Sequence, residues 1–90
     1  MTDRRVVVGS TATDDDASDR AAAEARRRRD AGQEVVLLGH GLDVEHLARA
    51  AVAEDATEVV VLGTAAEADT LREWLEEHAF PGVSVHHAPV

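Results

Sequence analysis

The sequence predicts an α/β domain in which a small parallel sheet carries helices on both faces. Three observations point there. Short Val- and Leu-rich runs of strand length recur at Arg5–Gly9, Glu34–Leu38 and Glu58–Leu62. Segments of helical period and length separate them. Glycines and capping residues mark the changes from one to the other. Buried strands alternating with helices of roughly three to four turns require right-handed crossovers, hence parallel pairing.

The first strand, Arg5–Gly9, is a Val run ended by glycine, and Thr11 to Asp16 is a polar loop. A helix follows from Ala17 to about Ala31, with Gly32 as its stop. Its inward stripe is Ala21, Ala25 and Arg28, with Ala22 beside it, a weakly apolar face. The second strand, Glu34–Leu38, reads as a continuous apolar run of the kind buried on both faces. Gly39-His40-Gly41-Leu42 forms its exit loop. Asp43 caps a helix to about Asp55, in which Val44, Leu47, Ala48, Ala51 and Val52 fall at helical spacing. The third strand is Glu58–Leu62. Thr64-Ala-Ala-Glu67 matches a capping box, in which hydroxyl and carboxylate satisfy the first free amides. The third helix runs to about His78, with Ala68, Leu71, Leu75 and Trp74 facing inward. Pro81-Gly82 makes a turn, and Val83–His86 is a short fourth strand.

Ninety residues form one domain, and the net charge of −9 is large for it. Such a field repels phosphate backbones and anionic lipid, so no nucleic acid and no membrane surface is expected as a partner. No apolar run approaches a membrane span, and no basic start leads into a secretory signal, so the cytoplasm is the expected location. The chain has no cysteine, which excludes disulfides, zinc–thiolate sites and thiol catalysis. Lys, Ile, Asn and Tyr are also absent. Their codons are A/T-rich, which fits a GC-rich genome, and acidic excess without Lys suits a halophilic cytosol that screens the repulsion. The residues up to Asp30 nearly balance in charge, and those from Ala31 onward carry almost the whole acidic excess.

Ligands in such sheets bind outside the carboxyl ends of the strands. The loops of interest are therefore Ser10–Asp16, Gly39–Leu42, Gly63–Ala65 and His86–Pro89. Asp14-Asp15-Asp16 suggests the metal pocket of a phosphoacceptor domain. That chemistry needs an Asp after the third strand and a Lys, and the chain has neither. Helix capping is the simpler role. Gly39-His40-Gly41 opens like a dinucleotide fingerprint, but Val44 stands where the third glycine belongs. His86 and His87 would face opposite sides of a strand and could not share a metal. His46 is expected in solvent, His78 half-buried, and His40 exposed in its loop. No catalytic residues stand out. In the run Arg26 to Arg29 one side chain, Arg28, must lie near the sheet and find a carboxylate or snorkel.

Arg5-Val-Val-Val-Gly9, Asp30-Ala-Gly-Gln-Glu-Val-Val-Leu-Leu-Gly39, Val44-Glu-His-Leu-Ala48 and Glu54-Asp-Ala-Thr-Glu-Val-Val-Val-Leu-Gly63 together resemble the cobalamin-binding domain of methylmalonyl-CoA mutase and related cobalamin-dependent mutases. The resemblance spans nearly the whole chain. It implies a flavodoxin-like fold, a three-layer, Rossmann-like domain of about four parallel strands in the order 2-1-3-4. It implies cobalamin as cofactor and a mutase large subunit as partner. It assigns cofactor-binding positions to Asp15, Gly39, Gly63 and Thr64. The family places Asp-x-His-x-x-Gly after the first strand, where His binds cobalt; this chain offers Asp15, Ala17 and Arg20. The family's Ser-x-Leu after the third strand reads Gly63-Thr64-Ala65 here, and its Gly-Gly after the fourth falls near His86-His87. Without imidazole at Ala17 the lower axial bond to cobalt cannot form in the usual way, and no metal ligand is assigned. The implied function is an accessory or small subunit of a cobalamin-dependent isomerase, not a catalyst alone. The alternative is a ligand-free structural or regulatory interaction domain, with self-association through an exposed fourth strand.

Overall fold

A computed structural model describes residues 4–89. The elements, in chain order, are β1 (Arg5–Ser10), α1 (Ala17–Asp30), β2 (Glu34–Gly39), α2 (Val44–Ala53), β3 (Glu58–Leu62), α3 (Ala65–Glu77) and β4 (Ser84–Ala88). The strands form one parallel sheet in the order β2-β1-β3-β4. This is the flavodoxin-like α/β arrangement that the sequence predicts. β1 and β3 are central because each is Val-rich and flanked on both sides; Val7 lies opposite Val36 on one neighbour and Val59 on the other.

The alternation of strand side chains divides the core in two. Val7, Val59 and Val61 point to one face. There they pack against Leu47, Ala48 and Ala51 of α2 and Ala68, Leu71 and Leu75 of α3. Val6, Val8, Val60 and Leu62 point to the other face. That face is served by α1 alone, through Ala17, Ala21 and Ala25, all fully buried. α1 lies over β1 and β2, so β4 has no helix on this side.

Local chemistry sets the element ends. Asp43 caps α2 by accepting from the His46 amide. Thr64 and Glu67 form the expected capping box at α3. The ends of α2 and α3 lack glycine, and Asp55 and Ala79 take left-handed backbone there instead (φ 55° and 64°). At α3 the Phe80 amide returns to the Leu75 carbonyl and that of Ala79 to Glu76, closing the helix by a Schellman-type pattern.

Several expectations need correction. β2 lies at the edge, as the order 2-1-3-4 places it, but it is not buried on both faces: its side chains are half-buried or exposed, and Leu37 is open to solvent. Its apolar run reflects the two partly covered faces of an edge. β4 starts and ends slightly later than expected, at Ser84–Ala88. His78 is exposed, not half-buried, because the helix turns its ring outward; it stacks on Trp74 at 3.7 Å between centroids. Asp16, at the start of α1, makes no side-chain cap because its backbone is helical rather than extended. In its place Asp14 accepts from the Asp16 amide.

Candidate functional site

The order of connections reverses between β1 and β3, and in open parallel sheets the crevice at such a reversal is where ligands bind. The loops after β1 and β3 meet there. Glu67, in the first turn of α3, reaches back to the Thr64 amide at 2.9 Å, as a capping box requires. The same oxygen accepts the Thr11 hydroxyl from the β1–α1 loop at 2.7 Å. The Thr11 amide donates to the Leu62 carbonyl at 3.0 Å. The two loops are thus clasped across the reversal by one carboxylate. A Cβ at Gly63 would lie 2.5 Å from Glu67 Oε1 and 2.6 Å from Thr11 Oγ1, so the clasp needs glycine at this position.

The Thr64 amide and then the Thr11 hydroxyl hold the Glu67 carboxyl below its ordinary range. A carboxylate stabilised in its ionised form is a weak base. The Thr11–Glu67 pair is therefore built to hold two loops, not to activate the hydroxyl.

The other loops close around it. Ser10 is buried and its hydroxyl accepts from the Ala12 amide at 3.1 Å. Gly41 and Leu42 donate to the Ala12 and Ser10 carbonyls, tying the β2–α2 loop to the β1–α1 loop. Gly39 ends β2 with φ 115°, a conformation that disfavours any side chain. From β4, His87 Nε2 lies 2.7 Å from the Gly63 carbonyl, so that nitrogen carries the proton. His86 and His87 stand opposite Val60 and Val61 and so face different sides of the sheet.

The four positions assigned by sequence fall on these loops. Asp15 is exposed at the start of α1, Gly39 ends β2, and Gly63 and Thr64 follow β3. The structure joins Gly63 and Thr64 to the opening loop through Glu67 and Thr11. The carboxylate of the acidic run that forms contacts is Asp14, which takes the Arg20 guanidinium with both oxygens at 3.0 and 2.8 Å. Arg20 holds the Asp14 carboxyl below its usual range.

On the α1 side an open cleft of about 350 Å³ lies between the helix and the ends of β3 and β4. Leu62, Ala88 and Pro89 form its apolar floor, and Arg20, Glu24 and Arg27 its charged wall. Glu24 is buried although charged, which the alanine spacing of α1 did not indicate. It pairs with both Arg27 and Arg28, and Arg28 also reaches Glu58 on β3 at 3.0 Å. Burial pushes the Glu24 carboxyl up, but the two guanidiniums outweigh it and leave the group below its ordinary value. Arg28 thus finds its carboxylates, as the sequence required.

The fit to a corrinoid held through a histidine is poor. Ala17 is fully buried at the first position of α1 and offers no donor atom. Arg20, in place of glycine, is committed to Asp14. The crevice at the reversal is closed by the chain's own clasp. Among the described residues no group of three His, Asp or Glu side chains converges as a metal site. Among them, too, no helix is long and apolar enough to cross a membrane.

The fold defines the class: a flavodoxin-like α/β domain with a four-stranded parallel sheet, whose carboxyl-end loops form the candidate site. The chain matches no model of a protein family, and no curated protein matches it in sequence.

Proposed function

We propose that this chain is a diverged module of cobalamin-binding type that serves in the cytoplasm as an accessory or small subunit beside a cobalamin-dependent mutase. One observation carries the reading. The segments that resemble the mutase domain fall on β1, the α1–β2 turn and β2, α2 and β3 of a sheet with the order 2-1-3-4. The strand order is the one the resemblance implies, and it is shared by flavodoxin-like sheets in general. The cleft beside α1 supports it further: its floor residues Leu62 and Ala88 adjoin the positions where the resemblance puts the nucleotide tail. Asp15, Gly39, Gly63 and Thr64, on the loops at the carboxyl end of the sheet and outside the lining of that cleft, are the candidate cofactor contacts. In this reading the chain lends a cleft and a docking body and supplies no cobalt ligand.

A second reading has its own observation. The Thr11–Glu67–Thr64 clasp fills the crevice with protein hydrogen bonds, which favours a ligand-free interaction domain. Equilibrium dialysis of the full chain against aquacobalamin in molar KCl separates the two, run beside affinity capture of a mutase large subunit. Saturable retention of the corrinoid supports the first reading. Capture without retention supports the second. If the corrinoid is not retained and the subunit is not captured, the accessory-subunit proposal is overturned.

A further inference from the structure

Among the described residues the sheet has two free edges, and they are guarded in the same way. In parallel pairing alternate residues of an edge strand turn their N–H and C=O away from the neighbour. Ser84 donates to Thr57, and Ala88 accepts from Gly63. Ser84, His86 and Ala88 therefore serve β3, and the main-chain groups of Val85 and His87 face outward. Arg72 of α3 covers one of them: its Nη2 donates to the Val85 carbonyl at 3.2 Å, while Nη1 is held by Asp69 at 2.9 Å. On β2, Arg29 lies 3.5 Å from the outward Val35 carbonyl.

The two edges differ in charge. β2 carries the exposed Glu34. β4 lies in the segment His78–Pro89, which has neither acidic residue nor Arg in a chain of net charge −9. Within the strand itself no like charges would oppose one another across a two-fold axis. Beside it an open groove of about 390 Å³ has an apolar floor of Leu75, Phe80, Pro81, Val83 and Val85, with Arg72, Glu76 and Ser84 also lining it, and the Phe80 ring is exposed.

We propose that the outer edge of β4 is a self-association surface. Its occupant is β4 of a second copy, paired antiparallel about a two-fold axis to continue the sheet, and Arg72 is the residue that holds it shut. Two identical edges related by a two-fold axis meet antiparallel, and the outward N–H and C=O of Val85 and His87 then find partners. An unblocked edge invites such pairing, and a positive side chain lying on it prevents it. The strand is short, so the association is weak and the guard decides it. This inference holds whether or not a corrinoid binds.

Sedimentation equilibrium of the full chain in molar KCl, where repulsion is screened, is the test. Arg72→Ala is expected to dimerise with a dissociation constant at least tenfold below wild type, and Arg72→Lys to stay near wild type. Amide exchange at Val85 and His87 in Arg72→Ala should slow as concentration rises. If Arg72→Ala associates no more than wild type, the guard does not exist. If it dimerises while those amides keep their monomer rates, β4 is not the surface.

Discussion

The two faces of the sheet are built from different materials. The α2/α3 face is an aliphatic interior: Leu47, Leu71, Leu75 and three valines close on one another with little exposure. The α1 face has alanines at its centre and charges at its margin. Its outer half is joined by Glu24, Arg28 and Glu58 rather than by a helix of apolar residues. The comparison teaches where each kind of interaction is needed. Two helices side by side can exclude water from a strip of sheet. A single helix over two strands leaves the outer strand β4 half-covered, and a long polar side chain, Arg28, reaches across to Glu58 on β3.

The largest expected effect lies on the aliphatic face. Leu71→Ala removes a fully buried side chain where α3 meets α2, and should cost about 2–5 kcal/mol in denaturant unfolding. A cost below about 1 kcal/mol would mean that this face is not the tighter of the two.

The charged face should answer to pH. Glu24 and Glu67 both have folded-state carboxyls below the ordinary value of 4.5. Depressed carboxyls stabilise the fold above the unfolded value and lose that contribution as pH falls through the folded one. Stability should therefore decline as pH drops below about 4.5. Glu24→Ala leaves Arg28 with one carboxylate in place of two and should cost about 2 kcal/mol at pH 7, less than a fully buried pair because Arg27 is solvated. It should also flatten the acid limb of the stability curve. An unchanged acid limb would assign the pH response to other carboxylates.

The smallest effect is at the end of α3. Ala79 holds left-handed backbone where glycine is free to do so. Ala79→Gly should raise stability by about 0.5 kcal/mol or leave it unchanged, since glycine relieves strain but also frees the unfolded chain. A clear loss would show that the Cβ of Ala79 packs usefully.

Much of this was readable beforehand wherever cause and effect lie close in the chain. The capping box at Thr64 and Glu67 spans one helical turn, and Asp43 caps α2 across the same distance. The helical spacing of Leu47, Ala48 and Ala51 named the inward face of α2. Arg28 is legible as the member of its run that lies near the sheet, but Glu58 is not legible as its partner. Glu67 was legible as a cap and not as a clasp, because Thr11 stands 56 residues away. Glu24 was missed because a carboxylate in an alanine stripe is buried only when guanidiniums arrive from its own later turn. The signal was its spacing to Arg27 and Arg28, at three and four residues. The edge position of β2 follows from the order 2-1-3-4, but its partial exposure was not legible, since an apolar run reads alike in the middle and at the margin of a sheet.

The sequence by itself determined the elements, their alternation and hence a parallel sheet, because periodicity, capping and the hand of crossovers act over short stretches of chain. Only the tertiary structure decided how far the edge strand β2 is covered, which carboxylate links the loops after β1 and β3, and which arginine lies on β4. Those outcomes depend on groups distant in sequence meeting at hydrogen-bond range. No local pattern fixes that distance; the packing of helices on the sheet does.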